Sequence, residues 1–476
     1  MELFAWDRER LARRWLLLAA AALAASGLLA FGVVAARVPP FARYLTATEL
    51  ARRVLVVHVD LGVVVWFSAL PVALFHLAAA GRRPAGRFAA FAPWLAATGA
   101  LALVTGLLPG WGAPATINYV PFVGQPLFGA GLLLFAVAVA GSYLDRELLP
   151  RASGEGGATA GRGPLAATLD SHRGLLRLGA ASTLLALVVL GVAAVRLRGF
   201  AGVGGAAEQL FWGAGHVLQL ATVAFVMVAW ALLAAAGTGR AVAGGPGLRL
   251  VQLLVAAAMV AVLLLLGAHP ATPRYYQGYV LLMRWGLFPG LVVYLGGVAA
   301  PHLRGPRGGP VGEAPGALRP LGASALLMLA GLLFGALIRG SDLRIPGHYH
   351  ATIGAVTLAY MALTLLLLPA AGGGEAFAAR RDRALGRVAL LYGTGQLSFS
   401  AGLMVAGGYG LGRKTYGVEQ LVRGPGQQAG LLLVALGGAL ALAGGVAWAL
   451  SLLRLGRHLE SGPDTPLDSH RETGSM

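Results

Sequence analysis

Residues 344–354 read Arg344-Ile345-Pro346-Gly347-His348-Tyr349-His350-Ala351-Thr352-Ile353-Gly354 and open an apolar run that ends near Pro369. Proline is accepted in the first turn of a helix, where its missing N–H has no partner to lose, so Pro346 marks a start and not a break. The run that follows is long enough to cross a bilayer. At roughly 100° per residue, His348 and His350 lie about 200° apart around that helix. One ion cannot take both, nor can one face of a single ring. Two different cofactors can, one on each side. Ionisable side chains inside a span are costly and mark function by default.

Composition sets the class around this stretch. The chain has 476 residues, 57% hydrophobic and 12% charged, with mean hydropathy +0.73. Backbone groups in lipid must be satisfied within their own segment, which predicts an all-α polytopic membrane protein. The net charge of +18 would suggest nucleic acid in a soluble chain. Here it is expected to reflect cationic loops beside anionic membrane lipid, with no nucleic-acid partner. There is no cysteine, which excludes disulfides, thiolate metal sites and covalent c-type haem attachment through this chain. A metal would be held by histidine, with tyrosine or carboxylate as helpers.

Apolar runs of about 20 residues predict twelve spans: Trp15–Ala36, Leu55–Ala80, Phe91–Leu108, Pro121–Tyr143, Leu175–Leu197, Leu210–Ala235, Leu250–Gly267, Gly278–Ala300, Leu321–Ile338, Gly347–Leu368, Ala389–Gly408 and Gly430–Leu453. Gly/Pro-rich loops are expected at Arg151–Pro164 and Arg304–Pro320. Residues 1–460 read as one membrane domain and 461–476 as a disordered cytoplasmic tail. The arginine-rich start, without a small-residue cleavage site close behind, reads as an uncleaved first span. Arginines outnumber by about two to one on the side holding both termini, which predicts N- and C-termini in the cytoplasm.

That orientation gathers the membrane histidines. His58, His216, His348 and His350 stand near the starts of even spans, and His269 at the end of the seventh. All five are expected at one depth, in the outer half of the membrane. His76, His172, His302, His458 and His470 fall at the inner face or in loops and carry no expected role.

The order of these histidines in spans two, six, seven and ten resembles subunit I of the haem–copper oxidase and nitric oxide reductase superfamily, as a divergent, cbb-type-like member. Gly347-His348-Tyr349-His350 is similar to the family's His-x-His. Phe211-Trp212-Gly213-Ala214-Gly215-His216 resembles the copper-ligand segment of the sixth helix. Gly408-Tyr409-Gly410-Leu411-Gly412-Arg413-Lys414 resembles the segment whose basic pair contacts haem propionates. The resemblance implies two haems: His58 and His350 on a low-spin iron, His348 on the active-site iron, and Arg413 and Lys414 on the propionates. It also implies copper held by His216 and His269. The expected activity is reduction of O2 in a bacterial cytoplasmic membrane, with electrons from a donor subunit or cytochrome c. Nitric oxide reduction, or a gas-sensing or electron-transfer haem protein without copper, are the alternatives. Arg52, Arg53 and Arg344 are further candidates for propionates, or for lipid headgroups.

Three positions depart from the family. The second of two adjacent copper histidines is replaced by Pro270. The redox-active tyrosine is missing from its usual places: Leu220 stands four residues after His216, and span seven has no tyrosine before His269. Tyr275, Tyr276 and Tyr279 follow it. Lys414 is the single lysine, so no lysine can serve a proton path through span eight. Polar lines remain on span ten (Thr357, Tyr360, Thr364) and span eleven (Tyr392, Gln396, Ser400), where helix-to-helix hydrogen bonding is the expected role. Glu208, two turns before His216, is expected too near the surface to ligate a metal.

Overall fold

The computed structural model describes residues 7–35, 48–80, 84–145, 163–198, 206–299, 312–368, 374–413, 421–422 and 424–457. Twelve helices among them are long and apolar enough to cross a membrane. In order these spans are one, Arg8–Val34; two, Glu49–Ala79; three, Arg87–Leu107; four, Pro126–Tyr143; five, Arg173–Arg196; and six, Ala206–Thr238. Span seven is Pro246–Leu265; eight, Pro273–Val298; nine, Pro315–Ala336; ten, Arg344–Leu367; eleven, Glu375–Gly408; and twelve, Pro425–Gly456. The expected tail 461–476 and most of the 151–164 loop lie outside the described residues.

Spans two, six and ten form the centre. Between 72 and 78% of their most apolar windows is buried, against 17–44% for the other nine. The three helices with inward-lying histidines are thus the three with least lipid contact. Large aromatics knit spans two, ten and twelve together, with Trp66 edge-on to Tyr360 at 5.8 Å and to Trp448 at 6.0 Å. Such edge contacts add about 1 kcal/mol each beyond the area they bury.

Three elements differ from the hydropathy reading. Span two is not a uniform helix: Asp60–Val65 winds as a π turn directly after His58, the kind of bulge that inserts one residue into the ladder. Span four begins at Pro126 and not at Pro121, because Phe122–Val123 (β2) pairs antiparallel with Pro114–Ala115 (β1) and closes a hairpin. Span eleven starts at Glu375, fourteen residues before the apolar run. Its arginine-bearing first turns are helical, yet a hydropathy window cannot see a solvated helix.

One end of the bundle is tied by buried cations and backbone. Arg53, 1% exposed, donates to the carbonyls of Gly106 (3.1 Å), Trp111 (3.2 Å) and Gly112, and pairs with Glu49. It closes the end of span three and is committed there, not free for a haem propionate. Asp342 bridges by backbone to Gly412, and its carboxylate takes Arg344 at 2.7 Å. The starts of spans two and ten and the exits of spans three and eleven therefore meet at this end.

Candidate functional site

The histidines of span ten face opposite neighbours, as their spacing requires. His348 Nδ1 donates to the carbonyl of Gly331 on span nine at 2.6 Å. A Cβ at Gly335 would lie 2.8 Å from that nitrogen, so the ring needs a glycine there to approach. His350 packs edge-on against Phe399 of span eleven at 4.9 Å. On span two, His58 Nδ1 donates to the carbonyl of Ser26 at 2.8 Å, and the Ser26 hydroxyl returns a bond to the His58 carbonyl at 2.9 Å.

This fixes the tautomers of His58 and His348. Carbonyls only accept, so Nδ1 carries the proton and Nε2 keeps its lone pair. A ring N–H on a backbone carbonyl is the usual support for a metal-bound imidazole, orienting it and raising its basicity. The donor set fits haem iron at both positions.

The expected copper ligands are placed differently. His216 Nδ1 donates to the carbonyl of Trp212 at 2.6 Å, and its Nε2 meets the Tyr119 hydroxyl at 2.9 Å. His269 lies just past the end of span seven, as Pro270 demands of the residue before it. Its Nε2 meets the carbonyl of Arg196 at 3.2 Å, and its Nδ1 accepts the N–H of Ala271 at 3.2 Å. Both nitrogens of both rings are engaged elsewhere. Among the described residues no group of three or more His, Asp or Glu could hold a metal ion. As they stand these residues do not fit copper.

Tyr119, which the sequence reading passed over, comes from the loop between spans three and four. It is the single non-glycine residue with positive φ (71°) among the described residues, a conformation costing of order 1–3 kcal/mol that surroundings must impose. Here Asn118 imposes it. Its backbone N–H reaches Glu208 at 3.2 Å, and its side-chain amide binds the same carboxylate. Burial, and then the Glu208 charge, push the phenol's ionisation well above its ordinary value, so Tyr119 is a proton donor. Gly215 makes room: a Cβ there would overlap the Tyr119 ring. The signals in the sequence were local ones, the Gly/Pro/Asn turn residues of 109–125 and the Gly-x-Gly before His216.

Further aromatics surround His216. Trp212 lies 4.7 Å from it and Tyr279 5.7 Å, while Tyr276 stacks on Trp212 at 4.7 Å. Beside them a cleft of about 450 Å³ is lined by Trp212, Tyr276, Gln277, Val280 and Leu281. Arg413 reaches Ser341 at 3.1 Å and Asn118 at 3.5 Å, at the same end of the bundle; Lys414 lies outside the described residues. A second residue also escaped the sequence reading. Asp60, two residues after His58, is wholly buried and neither carboxyl oxygen has a hydrogen-bond partner. A lone acid in an apolar span was its signal.

No protein-family model and no curated protein matches the chain. Among solved structures, a heme-copper terminal oxidase dimer determined by cryo-electron microscopy aligns with a TM-score of 0.67 at 16% identity. The alignment covers 94% of this chain and 84% of that one. The chain therefore shares the polytopic helical-bundle fold of that oxidase.

Proposed function

We propose that this chain is a multi-pass membrane haem oxidoreductase with two haems. His58 and His350 would hold one haem, which would supply electron transfer, and His348 would hold a second, which would supply a binding position for a diatomic gas. The observation that carries this reading is the shared tautomer of His58 and His348, each proton parked on a backbone carbonyl with Nε2 left for iron. Bound haem would supply one-electron transfer and a ligand position for gas. The chain's own part is to orient the imidazoles on opposite faces of span ten, exclude water with the packed centre, and place Arg413 and Lys414 for propionates.

O2 is the proposed substrate, in keeping with the oxidase fold, and nitric oxide the alternative. Electrons would come from a donor subunit or cytochrome c. Residues 1–460 form one domain in a bacterial cytoplasmic membrane, with both termini and the 461–476 tail on the cytoplasmic side. A second reading, an electron-transfer or gas-sensing haem protein without turnover, is favoured by the engagement of both ring nitrogens in His216 and His269.

The test is haem content with reduced and CO-treated optical spectra of the purified chain. Two haems, one of which shifts with CO, are expected. A single haem, or two that both ignore CO, would overturn the reading; O2 consumption with an electron donor then separates the two alternatives.

A further inference from the structure

We infer that Tyr119, and not a metal ion, is the partner of His216, so that the chain's sixth-span histidine is closed to copper by a tyrosine delivered from a loop. The inference rests on the two-haem reading and goes beyond it.

The hydrogen bonds force the protons into place. The Trp212 carbonyl at 2.6 Å can only accept, so His216 Nδ1 carries the imidazole proton. The remaining lone pair is on Nε2, and the Tyr119 hydroxyl lies 2.9 Å from it. A neutral imidazole bonded this way has nothing left to give a cation. His269 cannot compensate. Its Nδ1 lone pair takes the Ala271 N–H and its Nε2 proton faces the Arg196 carbonyl.

The contact is built. Tyr119 is held in a backbone conformation it would not choose, by two bonds from Asn118 to Glu208 and by Arg413 on Asn118. Its ring fills the space that Gly215 leaves, edge-on to Trp212 at 6.0 Å. Tyr119 thus acts as a positioning residue: it holds the imidazole through Nε2 and withholds that nitrogen from metals.

The experiment uses the haem-loaded protein in detergent, incubated with copper and then dialysed against a chelator. Copper and haem are counted on the same samples, and infrared spectra record whether CO photolysed from iron moves to copper. The wild type should retain almost no copper and show no copper-bound CO. Tyr119→Phe should retain roughly tenfold more, since releasing or supporting one ligand nitrogen changes metal affinity about 10–100-fold. That gain should vanish in Tyr119→Phe/His216→Ala. Gly215→Ala, which displaces the ring but keeps the phenol, should act in the same direction and covers the case in which Tyr119→Phe fails to fold. One copper per chain in the wild type, lost in His216→Ala, would overturn the inference while leaving the two-haem reading intact. No gain of copper in either loop-releasing variant would overturn it too. Absence of haem from the wild type would instead remove the reading beneath it.

Discussion

The two ends of the bundle use histidine in opposite ways. At the far end Arg8, 3% exposed, donates to Asp145 at 2.9 Å, to the Pro84 carbonyl at 3.3 Å and to His76 Nδ1 at 3.4 Å. Arginine can only donate, so His76 keeps its proton on Nε2 and its lone pair faces a cation. His172 gives Nδ1 to the Thr168 carbonyl at 2.9 Å and meets the Tyr294 hydroxyl through Nε2 at 3.1 Å. The His76 lone pair is spent on Arg8, and His172 Nε2 is covered by the Tyr294 hydroxyl, whose own proton goes to the Met227 carbonyl at 2.6 Å. His58 and His348 also give the Nδ1 proton to a carbonyl, but among the described residues no hydrogen bond reaches their Nε2. Burial does not separate the groups, and the Nδ1 proton does not either; whether the remaining nitrogen is already occupied does. His216 belongs by this test with the far end, although it stands beside the candidate site.

The sharpest way to break the comparison is to remove the imidazoles. His58→Ala and His350→Ala should each abolish the low-spin haem spectrum and leave a CO-binding haem, and His348→Ala should do the reverse. Optical spectra and haem content per chain check this. Loss of the same single haem in all three would mean the faces of span ten are not used separately.

A smaller effect is expected where histidine is structural. Arg8→Met removes the cation from the half-buried Asp145 carboxylate, and breaking a buried ion pair costs up to about 3–5 kcal/mol. Thermal stability should fall clearly while both haem spectra stay unchanged. A change in the spectra would show that the far end also shapes the haem sites.

The smallest effect concerns the tie at the start of span ten. Hydrogen bonds from Arg344 hold the Asp342 carboxyl below the ordinary carboxylate value. A carboxylate with a depressed folded pKa contributes stability above its unfolded pKa, near 3.9, and loses it as pH falls through the folded value. Asp342→Asn should therefore lower the melting temperature slightly at neutral pH. The gap from wild type should shrink as pH drops below about 5 and close below the depressed pKa. A gap that persists in acid would show that the pair acts by shape and not by charge.

Much of this architecture was legible in the residues. Twelve apolar runs became twelve spans, because lipid leaves a helix no alternative to satisfying its own backbone. The two faces of His348-Tyr349-His350 follow from helical pitch alone. What was hidden depends on tertiary contact. Local turn residues mark the 109–125 loop and the space beside His216, but they do not say that Tyr119 reaches it, ninety-seven residues on, or that Arg53 is spent on the end of span three. The π turn at Asp60–Val65 was equally silent, since Asp60-Leu61-Gly62-Val63-Val64-Val65 has the composition of an ordinary helix interior.

Span eleven has a consequence for anyone who wishes to see or hold this molecule. Its 34 residues make a rod about 51 Å long, against a hydrocarbon layer of about 30 Å. Roughly 20 Å of rigid helix is left to cross the headgroups and enter water. Its Glu375 end carries Arg380, Arg381, Arg383 and Arg387 in a few consecutive turns. A protein grafted onto that end through an unbroken helix would inherit the orientation of the bundle, serving as an alignment marker for imaging a chain that is otherwise nearly all membrane.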